Sequence, residues 1–269
     1  MQGDGQGLME KKDASYLEEA EQEVLDGIED RIGEIGRLLQ ELRDGSLDGT
    51  VGIGLIRQHA HSIKSMAAGI NVGVLQVLAH RLEDYLGPFD RLAGKAIEDV
   101  QVFADRLGEA LDGRLNATPE EIAAFCRRLP AKKADMKSDF DPNEVQVRDI
   151  EVMLVSSPGT ATNFVTRELA ECGYRMVNCF STVDALILAP QMKPDLVIVS
   201  NVMPELPGVD FACAMRAMPS TKDIPVAVLT SEKRDSPKLA GLPADVPLLS
   251  KSSRFGDDVT KVFQQLGLL

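Results

Sequence analysis

The residues with the most chemical potential in this chain are its three histidines, His59, His61 and His80, which all lie in the first half. If the surrounding segments are helical, His61 and Lys64 share one helix face, and His80 and Glu83 share a face on the next helix, because residues three apart are neighbours on a helix surface. His59 lies two positions from His61 and therefore points roughly 160° away from it. The spacing predicts a site that contains His61, Lys64, His80 and Glu83.

This combination of side chains is suited to accepting a phosphoryl group. The apolar stripe of the His61 helix lies to one side of His61, which leaves the imidazole at the surface; the stripe comprises Ile56, Ala60, Ile63 and Ala67. A neutral imidazole is nucleophilic near pH 7, and a carboxylate that accepts from one ring N–H frees the other nitrogen for attack. A nearby ammonium group offsets the charge of the incoming phosphoryl group. We therefore expect His61 to be the acceptor.

A metal site is the alternative use of these residues. The run His80-Arg81-Leu82-Glu83 has the spacing of a carboxylate and histidine pair in helical-bundle metal sites. Those sites need a second such pair and two further carboxylates that face inward. The sequence supplies no such second pair, so we expect no metal ion here.

The elements that must position these residues are helices. Four segments show apolar residues at spacings of three and four, and short glycine-containing turns separate them. The stripes begin with Ile28, Ile56, Leu75 and Ile97, respectively. This pattern predicts an all-α antiparallel four-helix bundle. Thr118-Pro119-Glu120-Glu121 then has the residues of a helix N-terminus, so a short fifth helix should run to about Leu129.

The run Ala60-His61-Ser62-Ile63-Lys64-Ser65-Met66-Ala67-Ala68 resembles the phosphorylation motif of histidine phosphotransfer domains, especially the first domain of chemotaxis histidine kinases. His80 and Glu83 match the second histidine and the glutamate of that family's site. Ser65 departs from the pattern, because the family prefers glycine there. The resemblance implies phosphorylation of His61 on its outer nitrogen, orientation by Glu83, support from His80 and charge compensation by Lys64.

The second half has a different period, in which short apolar runs alternate with amphipathic segments. Five strands are predicted: Glu151–Val155, Tyr174–Asn178, Asp195–Ser200, Ile224–Thr230 and Val246–Ser250. Strands that alternate with helices predict a doubly wound parallel sheet of the flavodoxin-like (βα)5 type. In such a sheet a ligand site lies at the carboxyl ends of the strands.

This half resembles a response-regulator receiver domain, with marked departures. Thr230 and Lys251 fall where receivers place the two residues that contact the phosphoryl group. Ser156 and Ser157 replace the acidic pair that holds Mg²⁺ in the family, and Ser200 replaces the aspartate that accepts the phosphoryl group. Hydroxyl groups do not replace carboxylates as a ligand set for a hard cation. The resemblance therefore implies a pseudo-receiver that holds no metal and takes no phosphate.

Composition sets the domain boundaries and excludes several functions. We predict a disordered tail at residues 1–14, the bundle at 15–129, a linker at 130–149 and the pseudo-receiver at 150–269. The net charge of −13 argues against nucleic-acid binding, and no apolar run is long enough to span a membrane, so we expect a cytoplasmic protein. The four cysteines show no CxxC pairing, and we expect them to be reduced thiols, with Cys172, Cys179 and Cys213 as small core residues.

These observations predict a phosphoryl carrier of the two-component phosphorelay class. It would accept phosphate on His61 from a sensor histidine kinase or a phospho-receiver and pass it to response-regulator aspartates. No segment is left for an ATP-binding kinase domain, no cofactor is expected, and Mg²⁺ would be needed only in the partner. The alternative is an adaptor whose pseudo-receiver sequesters a signalling partner without phosphotransfer. The sequence leaves open whether the chain forms homo-oligomers.

Overall fold

A computed structural model describes residues 4–114, 116–131, 149–251 and 255–268, with side chains described from Tyr16 onward. The chain divides into two compact units, Met1–Ala117 and Thr118–Leu269. Most of the predicted linker at 130–149 lies outside the described residues. None of the helices in the described ranges combines the length and the apolar character needed to cross a membrane.

The first unit is the predicted antiparallel four-helix bundle. Its helices are α1 (Asp4–Asp44), α2 (Gly49–Gly69), α3 (Gly73–Leu86) and α4 (Lys95–Gly113). The predicted apolar stripes form its core, where Ile28, Ile56, Leu75 and Leu107 are fully buried. α1 begins at Asp4, inside the segment predicted to be a disordered tail, because residues 8–14 include good helix formers such as Leu, Met, Glu, Lys and Ala.

The turn between α1 and α2 shows why the bundle packs closely there. Gly45 adopts a φ of 74°, a conformation that glycine tolerates best, and Asp48 accepts a hydrogen bond from the Thr50 backbone N–H at 2.8 Å to cap α2. Gly52 lies against Leu42, and a Cβ atom at position 52 would lie 2.8 Å from its side chain. The small residue therefore allows α2 to approach α1.

The second unit contains a five-stranded, all-parallel sheet. The strands are β1 (Glu151–Val155), β2 (Arg175–Cys179), β3 (Leu196–Ser200), β4 (Val226–Thr230) and β5 (Leu248–Ser250). Their order is β2-β1-β3-β4-β5, which is the flavodoxin-like order. Each predicted strand is confirmed to within two residues at either end. Both faces of β1 to β4 are buried, which explains why β1, β3 and β4 consist largely of apolar residues.

Four helices accompany the sheet after its strands: α6 (Thr160–Glu171), α7 (Thr182–Met192), α8 (Gly208–Ala217) and α9 (Phe255–Gln265). The crossover from β4 to β5 differs from the predicted βα repeat, because its helical part is a single 3₁₀ turn, Pro237–Leu239. Pro243, Pro247 and Gly241, which has a φ of 87°, disfavour a longer α-helix there.

The fifth helix, α5 (Pro119–Cys126), belongs to the second unit and not to the bundle. Its predicted start is confirmed: Thr118 and Glu121 form a reciprocal capping box, in which Glu121 accepts from the Thr118 backbone N–H at 2.8 Å. The helix packs against α7, and Arg175 at the start of β2 donates to the Leu129 carbonyl at 2.9 Å. The apolar and polar contacts of α5 thus fix it to the sheet domain.

The cysteines are all free thiols, as predicted, but one expected core position was wrong. Cys126 and Cys179 are buried and Cys213 is partly buried, whereas Cys172 is exposed. Cys172 follows the last residue of α6 as its C-cap, where the chain turns at the surface toward β2.

Candidate functional site

Helices α2 and α3 bring three of the four predicted bundle residues into direct contact. Because Ile56, Ala60 and Ile63 are fully buried, His61 and Lys64 lie at the edge of the core stripe of α2. His61 Nδ1 lies 2.9 Å from Glu83 Oε1, and Lys64 Nζ lies 2.5 Å from Glu83 Oε2. Glu83 therefore binds His61 with one carboxylate oxygen and Lys64 with the other.

The hydrogen bond to Glu83 determines which ring nitrogen of His61 is available. An ionised carboxylate only accepts hydrogen bonds, so the proton of a neutral imidazole lies on Nδ1 and Nε2 carries the free lone pair. The His61 side chain is 68% exposed, whereas those of Lys64 and Glu83 are about 20% exposed. The nucleophilic nitrogen thus lies on the surface, and the groups that orient it are held more firmly beneath.

His80 takes a different position from the one that the sequence predicts. Its side chain is only 6% exposed, and neither ring nitrogen has a hydrogen-bond partner among the described residues. Burial lowers the pKa of His80, although the nearby Asp84 and Glu83 carboxylates act in the opposite direction. His80 therefore packs within the bundle near Lys64 and Glu83, without a hydrogen bond to His61.

Two further polar residues of α2, Ser65 and His59, flank His61 in the sequence. Ser65, which replaces the glycine of the family pattern, donates its hydroxyl to the His61 backbone carbonyl at 3.0 Å and so turns back onto its own helix. His59 faces the other side, where desolvation and the charges of Arg31 and Arg37 lower its pKa against the effect of Glu34. His59 is thus separate from the His61 site, as its spacing predicts.

The five predicted pocket residues of the second unit lie at the carboxyl edge of the sheet. Ser156 and Ser157 follow β1, Ser200 and Thr230 end β3 and β4, and Lys251 follows β5. The strand order changes direction between β1 and β3, so this edge has the crevice in which doubly wound sheets bind ligands. The sequence prediction that these residues converge on one edge agrees with the topology.

Within this edge the side chains form two hydrogen-bonded groups. Lys251 Nζ donates to Ser200 Oγ at 2.8 Å, and Ser200 is only 2% exposed. Thr162 on α6 donates to the Ser157 carbonyl at 2.6 Å and lies 3.1 Å from Ser156 Oγ. The Thr230 hydroxyl accepts from the Glu232 backbone N–H at 3.1 Å, and the Thr230 carbonyl accepts from the Lys251 backbone N–H at 3.3 Å. The Lys251 ammonium is therefore bound by a neutral hydroxyl at the end of β3.

The electrostatics of this pocket follow from the three serines. Partial burial lowers the pKa of the Lys251 ammonium, and no ion pair with Asp or Glu is recorded for Lys251 in the described part of the chain. Across the described residues, no three His, Cys, Asp or Glu side chains are grouped so that they could hold a metal ion. The described side chains of this pocket therefore place a cation among neutral hydroxyl groups.

Sequence reasoning missed two residues that organise this edge. Thr162 connects both serines to α6, and its position in the first turn of a helix after β1 was the available signal. Glu205 accepts from the Ser181 hydroxyl at 2.7 Å and from the Thr182 backbone N–H at 3.0 Å, which joins the loop after β3 to the start of α7. These hydrogen bonds lower the pKa of Glu205.

A cavity of about 460 Å³ lies elsewhere in the second unit. Pro194, Asp195, Ile224 and Pro225 line it, and these residues precede or begin β3 and β4. The cavity is therefore at the amino edge of the sheet, opposite the predicted pocket.

The fold and site together define a class of protein: a helical bundle with an exposed histidine bound to a glutamate, followed by a flavodoxin-like sheet domain. Residues 16–139 match the family model of the Hpt domain. The C-terminal part has response-regulator receiver homologues. The combination indicates a two-component phosphorelay protein.

Two curated proteins and one solved structure are similar to part of this chain. The transcriptional regulatory protein PrrA of Mycobacterium tuberculosis is 30% identical over 93 residues, which cover 35% of this chain and 39% of PrrA. Protein PilH of Pseudomonas aeruginosa is 28% identical over 90 residues, covering 34% of this chain and 74% of PilH. A solved putative response regulator from Chloroflexus aurantiacus is 25% identical with a TM-score of 0.40, covering 44% of this chain and 98% of that chain.

The chain spans about two fifths of the length of the first curated relatives it matches.

Proposed function

We propose that this protein is a phosphoryl carrier that receives phosphate on His61 from a sensor histidine kinase or a phospho-receiver and delivers it to aspartates of response regulators. The observation that carries the proposal is the exposed His61 imidazole, whose Nδ1 lies 2.9 Å from Glu83. This geometry supports attack by Nε2, because the partner domain reaches that nitrogen without displacing Glu83.

The transfer step uses groups already in place. The Nε2 lone pair attacks phosphorus, and the bond between phosphorus and the donor's leaving oxygen breaks as the new N–P bond forms. The ring becomes cationic, so its Nδ1–H binds the Glu83 carboxylate more strongly. Lys64, 2.5 Å from the same carboxylate, offsets negative charge that approaches the site. The Mg²⁺ that such a transfer uses would be supplied by the partner.

We propose that the second unit is a non-phosphorylatable receiver that acts as a docking or regulatory module. The hydrogen bond from Lys251 to Ser200 supports this role, because a neutral hydroxyl occupies the acceptor position. The same observation favours the second candidate function, an adaptor that binds a signalling partner through this unit without phosphotransfer.

The proposal is tested by His61→Gln in a phosphotransfer profile against a panel of kinases and receivers. We expect the variant to lose acid-labile phosphorylation with unchanged helicity, because the imidazole is outside the core. Glu83→Gln should keep the site but slow transfer on the order of tenfold, since it loses the ionised acceptor that orients the ring. Glu98→Gln, at an exposed carboxylate on α4, is the matched control. Phosphate that still appears on the His61→Gln chain would contradict the assignment.

A further inference from the structure

Helix α1 extends well beyond the core of the bundle. It has 41 residues, about 62 Å at 1.5 Å per residue, whereas α2, α3 and α4 have 21, 14 and 19 residues. Its first fully buried side chain is Ile28, and residues 16–23 are all exposed. We call residues 16–27 the leading segment of α1.

The leading segment carries an apolar stripe that is exposed at Leu17 and Ala20 and partly buried at Val24. Leu17, Ala20 and Val24 follow spacings of three and four, and Ile28 continues the same face into the bundle core. Leu17 is 72% exposed and the adjacent Tyr16 is 67% exposed. An amphipathic helix normally buries such a stripe, so this face is suited to a partner.

The charge around the stripe indicates the chemistry of that partner. Between positions 18 and 30 there are seven acidic residues and no basic residue: Glu18, Glu19, Glu21, Glu23, Asp26, Glu29 and Asp30. At 100° per residue, Glu21 borders one side of the stripe and Glu23 borders the other. Asp26 and Asp30 place like charges at i and i+4, an arrangement that favours a cationic partner.

We propose that the leading segment of α1 is a docking surface for a basic amphipathic helix of another protein. Apolar side chains of that helix would cover Leu17, Ala20 and Val24, and Lys or Arg side chains beside them would pair with Glu21 and Glu23. A second copy of this chain fits less well, because its α1 would bring the same acidic flanks against these. The surface is separate from the His61 site, so the proposal goes beyond phosphotransfer.

The test uses the full chain and a fluorescent synthetic peptide as probe. The peptide copies residues 16–31 with each of the seven acidic residues replaced by lysine, and its controls are the native-sequence peptide and a scrambled peptide of the same composition. We expect saturable binding of the charge-reversed peptide only, weaker at high salt because charge pairs are screened. Leu17→Ser with Val24→Ser should lower the affinity about tenfold or more.

The matched control is Val51→Ser with Leu55→Ser, which removes an exposed apolar pair of α2 and should leave peptide binding unchanged. Circular dichroism and His61 phosphorylation check that each variant is folded. Several results would overturn the proposal: no saturable binding, equal binding of the scrambled peptide, equal binding by the Leu17→Ser, Val24→Ser chain, or self-association of the wild type through this segment in sedimentation.

Discussion

At the scale of single residues, the bundle site depends on one carboxylate that binds two cationic or polar groups. Glu83 contacts Lys64 and His61 through different oxygens, so it is held in place whichever state His61 occupies. The Lys64 and Glu83 side chains are only about 20% exposed, so solvent screens their ion pair less than it screens a surface pair. This arrangement therefore holds the carboxylate that orients the His61 ring.

His80 is expected to reduce stability at low pH. Because burial lowers its pKa in the folded state, the unfolded chain binds a proton more readily, and the free energy of unfolding falls as the pH drops below about 6.5. His80→Leu removes this proton uptake and also removes two buried nitrogens that have no hydrogen-bond partner among the described residues. We therefore expect the free energy of unfolding to rise by about 1 kcal/mol near pH 7 and by more at pH 5.5. Urea unfolding at both pH values is the measurement. An equal pH dependence in both chains would contradict the assignment.

The serine pocket leads to a gain-of-function prediction. Ser156→Asp, Ser157→Asp and Ser200→Asp together restore carboxylates at the edge where the receiver pattern places them, and carboxylates are the ligands that Mg²⁺ needs. We expect Mg²⁺ to raise the Tm of the triple variant and to leave the wild-type Tm unchanged. The single variant Ser200→Asp is the control, since one carboxylate beside Lys251 should form an ion pair instead. A Tm rise in the wild type would show that the pocket holds a cation without these carboxylates.

At the scale of secondary-structure elements, α5 is part of the sheet domain. Arg127 lies 3.4 Å from Asp195, Arg175 donates to the Leu129 carbonyl, and Glu120 pairs with Lys193. These contacts hold α5 and the residues after it against the amino edge of the sheet. The compact unit that contains the sheet therefore begins at Thr118, before the predicted linker at 130–149.

This boundary can be tested by comparing two fragments, residues 118–269 and residues 150–269. The shorter fragment lacks the Leu129 carbonyl for the mostly buried Arg175, and loss of a hydrogen bond to a charged group costs about 1.5–3 kcal/mol. We expect its free energy of unfolding to be lower by about 2 kcal/mol or more. Glu120→Gln in the longer fragment removes only an exposed ion pair and should change little. Equal stability of the two fragments would show that α5 is dispensable.

At the scale of the whole molecule, the two candidate functions assign the activity to different units. A relay needs the His61 bundle and tolerates loss of the sheet domain, whereas an adaptor needs the sheet domain and tolerates loss of the imidazole. The matched chains are full-length His61→Gln and a truncation to residues 1–117, which follows the boundary between the compact units.

We expect His61→Gln to abolish phosphotransfer and the truncated chain to retain part of it. One phosphotransfer assay and one pull-down with a defined receiver, both run on the two chains, measure the difference. If the truncated chain loses receiver binding in the pull-down while His61→Gln keeps it, the adaptor function is correct and the relay is not.

The sequence by itself determined the elements and the residue types of both sites. Apolar spacing predicted four helices and five strands. Burial imposes a period of 3.6 residues on helices, and a period of 2 or a continuous apolar run on strands, and each pattern can be read within one short segment. His61, Lys64 and Glu83 could be selected because i, i+3 spacing fixes a shared face on each helix. The replacement of three carboxylates by Ser156, Ser157 and Ser200 was also visible without any structure.

The burial and position of some residues depend on packing between segments that are distant in sequence, and only the tertiary structure decided these. His80 has the spacing of a site residue, but the packing of the bundle buries it to 6% exposure. α5 has correct local caps, yet its place is decided by Arg175, Asp195 and α7, which come later in the chain. The leading segment of α1 continues the apolar pattern of the core, and its exposure follows from where α2 and α4 end. Local spacing fixes which face of a helix is apolar, whereas long-range contacts decide whether that face is covered.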